Sequence, residues 1–275
     1  MEALIAAARK RYHKALLKTI LTVDKNGIPS NADKASRLSI ALARGITNQL
    51  LAVEQDKSLG QTTGAKFEEL NMEFLRETFP MMQSLRPGRW NILKLGNNNR
   101  LKTSDFAQYE HLAYLQELTK MNSELAASLG NDYMVAPDVI IYRELCSDEE
   151  INQAGILVDD TVCFGADLRK KNGGKPILHA SVSAKNSRTE ALNLIRNRKG
   201  HLPHIVVVTG EPMPSRLSSL ALGTGDIDCV YHFALYELIE SIRILQDESA
   251  MEMIQILIKG KRLKDISDLP LDLCV

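Results

Sequence analysis

Apolar residues recur every three or four positions through MEALIAAARKRYHKALLKTIL at the head of the chain, the spacing that one buried face of an α-helix requires. SNADKASRLSIALARGITNQLLAVEQ repeats the pattern, with Asn31 or Asp33 standing where a helix cap is expected. A third helix is predicted over TTGAKFEELNMEFLRETF, with Phe67, Leu70, Phe74 and Leu75 on one face and Glu68 beside it. The period then shortens. WNILKL, YMVAPDVIIYRE, PILHASVSA, HIVVVTG and IDCVYHFAL are short runs of strand formers, and helical patterns lie among them in SDFAQYEHLAYLQELTKM, RTEALNLIRNRK and LYELIESIRILQDESAMEMIQILI. Strands interleaved with helices predict an α/β fold, a mixed central β-sheet flanked by helices on both faces and preceded by a helical N-terminal part.

Composition supports a substantial core. The chain has 275 residues, of which 44% are hydrophobic and 25% charged, and it shows no repeat and no Pro/Gly-rich boundary, so residues 1–275 read as one domain. No apolar run approaches the roughly 18 to 20 residues of a membrane span, and Arg9, Lys10, Arg11 and Lys14 interrupt the N-terminal alanines where a signal peptide would be uncharged. A cytoplasmic protein without membrane partners is expected. The four cysteines form no Cys-x-x-Cys pair, which argues for reduced thiols rather than a zinc ribbon or a disulfide framework.

Net charge is zero, but it is unevenly placed. Between Arg169 and Gly200 stand nine Lys or Arg residues and one acid, Glu190, so this segment carries +8. Such a run serves either as a solvated face or as a surface that follows the phosphates of a nucleic acid.

Two strands carry candidate chemistry. In APDVII, Asp138 precedes three wholly apolar residues, which puts a carboxylate at the mouth of a strand. In LHASVSAK, alternation places Ser181, Ser183 and Lys185 on one side of the strand. If those strands are neighbours, a carboxylate and a lysine meet at a sheet edge, an arrangement suited to phosphodiester hydrolysis with magnesium. Rival constellations are weaker. HLPH offers only His201 and His204 without a third ligand, GTGD lacks the Gly-Lys-Ser/Thr ending of a phosphate loop, and a Ser183–Lys185 dyad would lack an oxyanion hole.

The Pro-Asp…Ser-x-Lys arrangement, with Glu190 in TEALN and Glu68 in FEE, resembles the PD-(D/E)xK nucleases. More narrowly the chain resembles the NgoMIV-type family of restriction endonucleases, whose palindromes contain CCGG. SNAD, LGQTTG, RPGRWN, ELAASLGNDY, NLIRNRKGHLPHIVVVT, LALGTGDIDCVYHFALYEL and GKRLKDISDLPLDL carry that likeness along almost the whole chain. The resemblance implies a magnesium-dependent (Mg2+) enzyme acting on double-stranded DNA at a GCCGGC-like site. It implies that Asp138 with Glu68 or Glu190 holds the metal, that Lys185 is the catalytic lysine with Ser183 beside it, and that the enzyme is a homotetramer, a dimer of dimers.

One stretch departs from the family pattern. Relatives carry a longer segment between lysine and glutamate, holding an Arg-Asp/Glu-Arg element that reads the central base pairs, whereas only NSRT intervenes here. Arginine is the natural bidentate partner of guanine, so sequence discrimination is expected to weaken while the hydrolytic residues remain. By the same resemblance Gln61 and Arg216 contact flanking base pairs, and Arg188 is the single arginine of the shortened segment. Where relatives place a serine before the second helix, this chain has Ala35 and then Ser36. The strand ending at Lys185 is expected to turn directly into a helix beginning near Arg188, with Glu190 in its first turn. A noncatalytic DNA-binding oligomer that keeps the fold is the alternative.

Overall fold

Ser36, rather than Asn31 or Asp33, opens the second helix: its Oγ accepts the backbone N–H of Ser39 at 3.2 Å, the bond that an N-cap supplies. Both earlier candidates are spent elsewhere. Asn31 is buried and donates to the Gly210 carbonyl at 2.9 Å, and Asp33 accepts from the Ala35 N–H in a local turn. The helix therefore starts later than its polar pattern predicts.

The computed structural model describes residues 2–53, 65–95, 103–129, 137–185, 202–223 and 227–275. In chain order the helices of interest are α1 (Leu4–Thr19), α2 (Arg37–Val53), α3 (Ala65–Thr78), α4 (His111–Met121), α5 (Ser123–Leu129), α6 (Asp148–Ile151), α7 (Pro214–Gly223), α8 (Leu235–Leu245), α9 (Glu248–Lys259) and α10 (Leu269–Asp272). The strands are β1 (Trp90–Lys94), β2 (Val139–Arg143), β3 (Ile177–Lys185), β4 (His204–Thr209), β5 (Cys229–His232) and β6 (Leu263–Asp265). They form a mixed six-stranded sheet in the order β1-β2-β3-β4-β5-β6, with β1 antiparallel to β2 and with β4, β5 and β6 mutually parallel. The α/β class expected from the sequence is what the chain adopts.

Several elements differ from the expected ones. The long C-terminal helical pattern is two helices, because Gln246 takes a left-handed conformation (φ 54°) and Asp247 caps α9 by accepting the Ala250 N–H at 2.9 Å. α7 and the three-residue β6 are additional, both too short for a periodic signal. The stretch expected to form one helix from Ser104 opens as 3₁₀ turns and becomes α-helical only at His111.

The chain divides into two compact units. The first comprises Met1–Arg86, Val182–Leu192 and Ile205–Val275. Within it α1 packs on α3, α2 on α8 and α7 on α9. Gly45 permits the α2–α8 approach, since a Cβ there would stand 2.5 Å from Ser241 Oγ. The predicted face of α3 is the buried one: Phe67, Leu70, Phe74 and Leu75 all lie in the core, each stabilising it by roughly 1.5–3 kcal/mol. The second unit comprises Pro87–Ser181 and Asn193–His204. There the β1–β2 ladder pairs Trp90 with Arg143, and the buried Gln108 side chain bonds both backbone groups of Leu178, supplying β3 with a substitute partner at 2.8 and 3.0 Å.

Candidate active site

β3 is buried on both faces from Leu178 to Ala184, as a central strand must be, and Ser183 is inside with only 1% of its surface exposed. Lys185 closes the strand. Asp138 stands immediately ahead of β2, whose Val139, Ile140 and Ile141 are fully buried; its backbone carbonyl accepts the Leu95 N–H at 3.0 Å, which fixes the residue against the end of β1, and its side chain is half-buried. The strand order makes β2 and β3 neighbours, as the sequence reading required. Asp138 belongs to the second unit, and Ser183 and Lys185 to the first.

Glu68 lies in the first turn of α3, half-buried, also in the first unit. Its helix is held on both sides. Phe67 meets Phe233 edge-on at 6.3 Å, and the buried Asn71 donates to the Phe67 carbonyl at 2.7 Å while accepting from Tyr12 Oη at 2.8 Å. Gln61, Arg188 and Glu190, and the expected turn from β3 into a helix, lie outside the described residues. Among the described residues no group of three or more His, Cys, Asp and Glu side chains is arranged to hold a metal. His204 stacks edge-on against His179 at 4.7 Å, and His179 in turn lies 4.7 Å from Trp90, which makes these histidines part of a packed aromatic row.

Arg216 stands in the first turn of α7 and joins a cluster that the sequence did not disclose. Its guanidinium is bonded to Asp33 and lies 3.6 Å from the buried carboxylate of Glu211. Glu211 Oε1 accepts the Met213 N–H at 3.0 Å, whereas Oε2 is buried without a hydrogen-bond partner among the described residues. Burial pushes the Glu211 carboxyl up, and the Met213 bond and the Arg216 charge offset this only in part. Asp33 moves the other way, pulled down by the Ala35 N–H and by Arg216. Ser36 Oγ reaches Met213 Sδ at 3.7 Å, so the loops ahead of α2 and α7 share one site. Glu211 follows β4 by one residue, Gly210, and nothing in VVVTGEPMPSR alone singles it out.

Residues 12–275 match the family model described as NgoMIV restriction enzyme. The chain is also 49% identical over 286 aligned positions to the type II restriction enzyme NgoMIV of Neisseria gonorrhoeae, with all of each chain covered. This chain belongs to the NgoMIV restriction enzyme family. It is therefore a restriction endonuclease, and the likeness read from its motifs extends over the whole length. The alignment exceeds the 275 residues of the chain, so the gonococcal relative contains positions that this enzyme lacks. Among the described residues no helix is long and apolar enough to cross a membrane.

Proposed function

We propose that this enzyme hydrolyses phosphodiester bonds of double-stranded DNA at a CCGG-containing, GCCGGC-like palindrome, with magnesium, in the cytoplasm, and that its discrimination is weakened by the short Lys185–Glu190 segment. The observation that carries the reading is family membership over the whole chain, and the Pro-Asp…Ser-x-Lys residues of the sequence support it. Asp138 and Glu68 or Glu190 offer hard carboxylate oxygens, the donor set that magnesium prefers over the softer ligands of zinc. Magnesium held there supplies charge neutralisation at the phosphate and acidifies water. Lys185 orients the attacking water and holds the charge that grows on phosphorus, with Ser183 beside it in the sequence motif. Gln61, Arg216 and Arg188 contact the DNA.

The enzyme acts as a homotetramer, a dimer of dimers, in this reading. Support comes from the segment between β2 and β3, where Ile156 and Phe164 are 86% and 68% exposed although their backbone is firmly built. Arg169, itself 2% exposed, bonds both oxygens of Asp148 at 2.6 Å and the carbonyls of Val162 and Asp159 at 2.7 and 2.8 Å. A rigid loop that presents apolar side chains to solvent is suited to contact a second copy of the chain. Incubating plasmid DNA with the enzyme, with magnesium or with chelator, tests the reading: magnesium-dependent double-strand cleavage supports it, and cleavage indifferent to chelator contradicts it.

A further inference from the structure

We infer that Glu211 is a positioning residue for Arg216, a buried anion that keeps the guanidinium aimed when the partly solvated Asp33 gives way to DNA. The inference rests on the assignment of Arg216 to DNA contact proposed above. Three observations support it.

Glu211 is placed at a cost that a turn alone does not require. It is 1% exposed between β4 and α7, its N–H donates to Thr209 Oγ1 at 3.1 Å, and its Oε1 serves Met213. A short Asp or Ser would perform that local role at the surface. The longer acid instead carries Oε2 inward, where it finds no hydrogen bond among the described residues and lies 3.6 Å from the Arg216 guanidinium. Burying a carboxylate oxygen in that way is unfavourable unless a charge compensates it.

Arg216 needs such compensation itself. A cation in the first turn of α7 opposes the positive end of the helix dipole. Two acids offset this, and they differ in burial. Asp33 lies on the loop ahead of α2, partly solvated, and an ion pair of that kind is weak and screened by salt. Glu211 is enclosed and tied to Met213, so it cannot follow Asp33 if that contact opens.

Arg216 also has somewhere to go. Its side chain is 41% exposed, while the loop that bears Asp33 is pinned through Asn31 to the Gly210 carbonyl and through the Asp33 N–H to Ser39 Oγ at 2.8 Å. The guanidinium thus sits between an enclosed anion and a partly solvated one. When nucleic acid replaces Asp33, Glu211 retains one side of the fork and spares the arginine the loss of rotamer freedom on binding.

The test compares cleavage of duplexes centred on GCCGGC and on ACCGGT, which keep CCGG and differ in the outer pair. Wild type, Glu211→Gln, Arg216→Ala and the double variant are measured, with the melting temperature and the circular dichroism spectrum as fold controls. Glu211→Gln is expected to lower the preference between the duplexes about three- to tenfold. The double variant should match Arg216→Ala alone, because Glu211 acts only through the arginine. If Arg216→Ala lowers the preference and Glu211→Gln leaves it unchanged or adds to the loss independently, the positioning role is overturned. If Arg216→Ala leaves the preference unchanged, the DNA assignment of Arg216 fails and the inference falls with it. Should Glu211→Gln not fold, Glu211→Asp decides: the shorter acid keeps the charge but draws the carboxylate back from Arg216, so preference should fall, and wild-type preference would overturn the inference.

Discussion

Tyr12 of α1 donates a hydrogen bond to Asn71 of α3 at 2.8 Å, inside the core and one helical turn from Glu68. Asn71→Ala would remove that acceptor and leave the Tyr12 hydroxyl buried without it. An unsatisfied buried hydroxyl costs about 1–3 kcal/mol, so equilibrium denaturation should show a loss of that size. A loss below a few tenths of a kcal/mol would mean that the pair does not hold α3.

Arg9 joins α1 to Asp265 at 2.8 Å and to Glu237 at 2.7 Å, and acid should weaken this unit. Burial pushes the Asp265 carboxyl up, but the hydrogen bonds and charge of Arg9 pull it further down, so it ends below its ordinary value. Loss of solvation pushes His232 down to about 4. Both groups release protons more readily folded than unfolded, so the unfolded chain binds more protons as pH falls. The His232 contribution is complete above about pH 6.5 and disappears towards about 4, and that of Asp265 follows below. Denaturation at pH 7, 6 and 5 should show stability declining by up to about 1.4 kcal/mol per pH unit from His232 alone. A flat profile contradicts this reading of the buried groups.

Arg169→Met should release the loop that Arg169 organises through Asp148, Val162 and Asp159. Limited proteolysis is expected to cut within residues 155–168 well before the wild type is cut, and sedimentation should show a smaller assembly. An unchanged tetramer after loop cleavage would remove this loop from the proposed self-association.

Much of this fold was legible because burial is periodic. The face of α3 named from its spacing is the buried one, and the apolar run of β2 is interior. The misses have physical causes. Asn31 and Asp33 look like caps, but a tertiary partner, Gly210, and a local turn claim them, and neither competitor is visible in a short window. The apolar period runs on through Gln246 and Asp247, so the break between α8 and α9 shows only in the left-handed residue. Asp138 and Lys185, the proposed site residues, were named from their places beside strands, and they do flank β2 and close β3. Glu211 was not named, because its meaning depends on Arg216 across a turn.

The shortened segment after Lys185 should separate affinity from discrimination. Binding is expected to fall steeply with salt, with basic residues of the run from Lys170 to Gly200 as the proposed phosphate contacts and Arg169 itself held inside by Asp148, while preference for CCGG-containing over scrambled duplexes stays below the roughly 10³-fold typical of specific DNA binders. Titrations at several salt concentrations test both halves. A preference of 10³-fold or more would locate the base readout outside that segment.

The most direct measurement of the central claim is sequencing the ends of DNA cut by wild type and by Asp138→Ala, each with magnesium and with chelator. The account predicts ends enriched at CCGG-containing palindromes for the wild type with magnesium, none with chelator, and a loss of roughly 10³-fold or more in Asp138→Ala, with DNA binding at matched salt retained. Lys185→Ala should behave likewise. Purified Asp138→Ala protein that leaves the same ends at the wild-type rate would contradict the assignment of the active site.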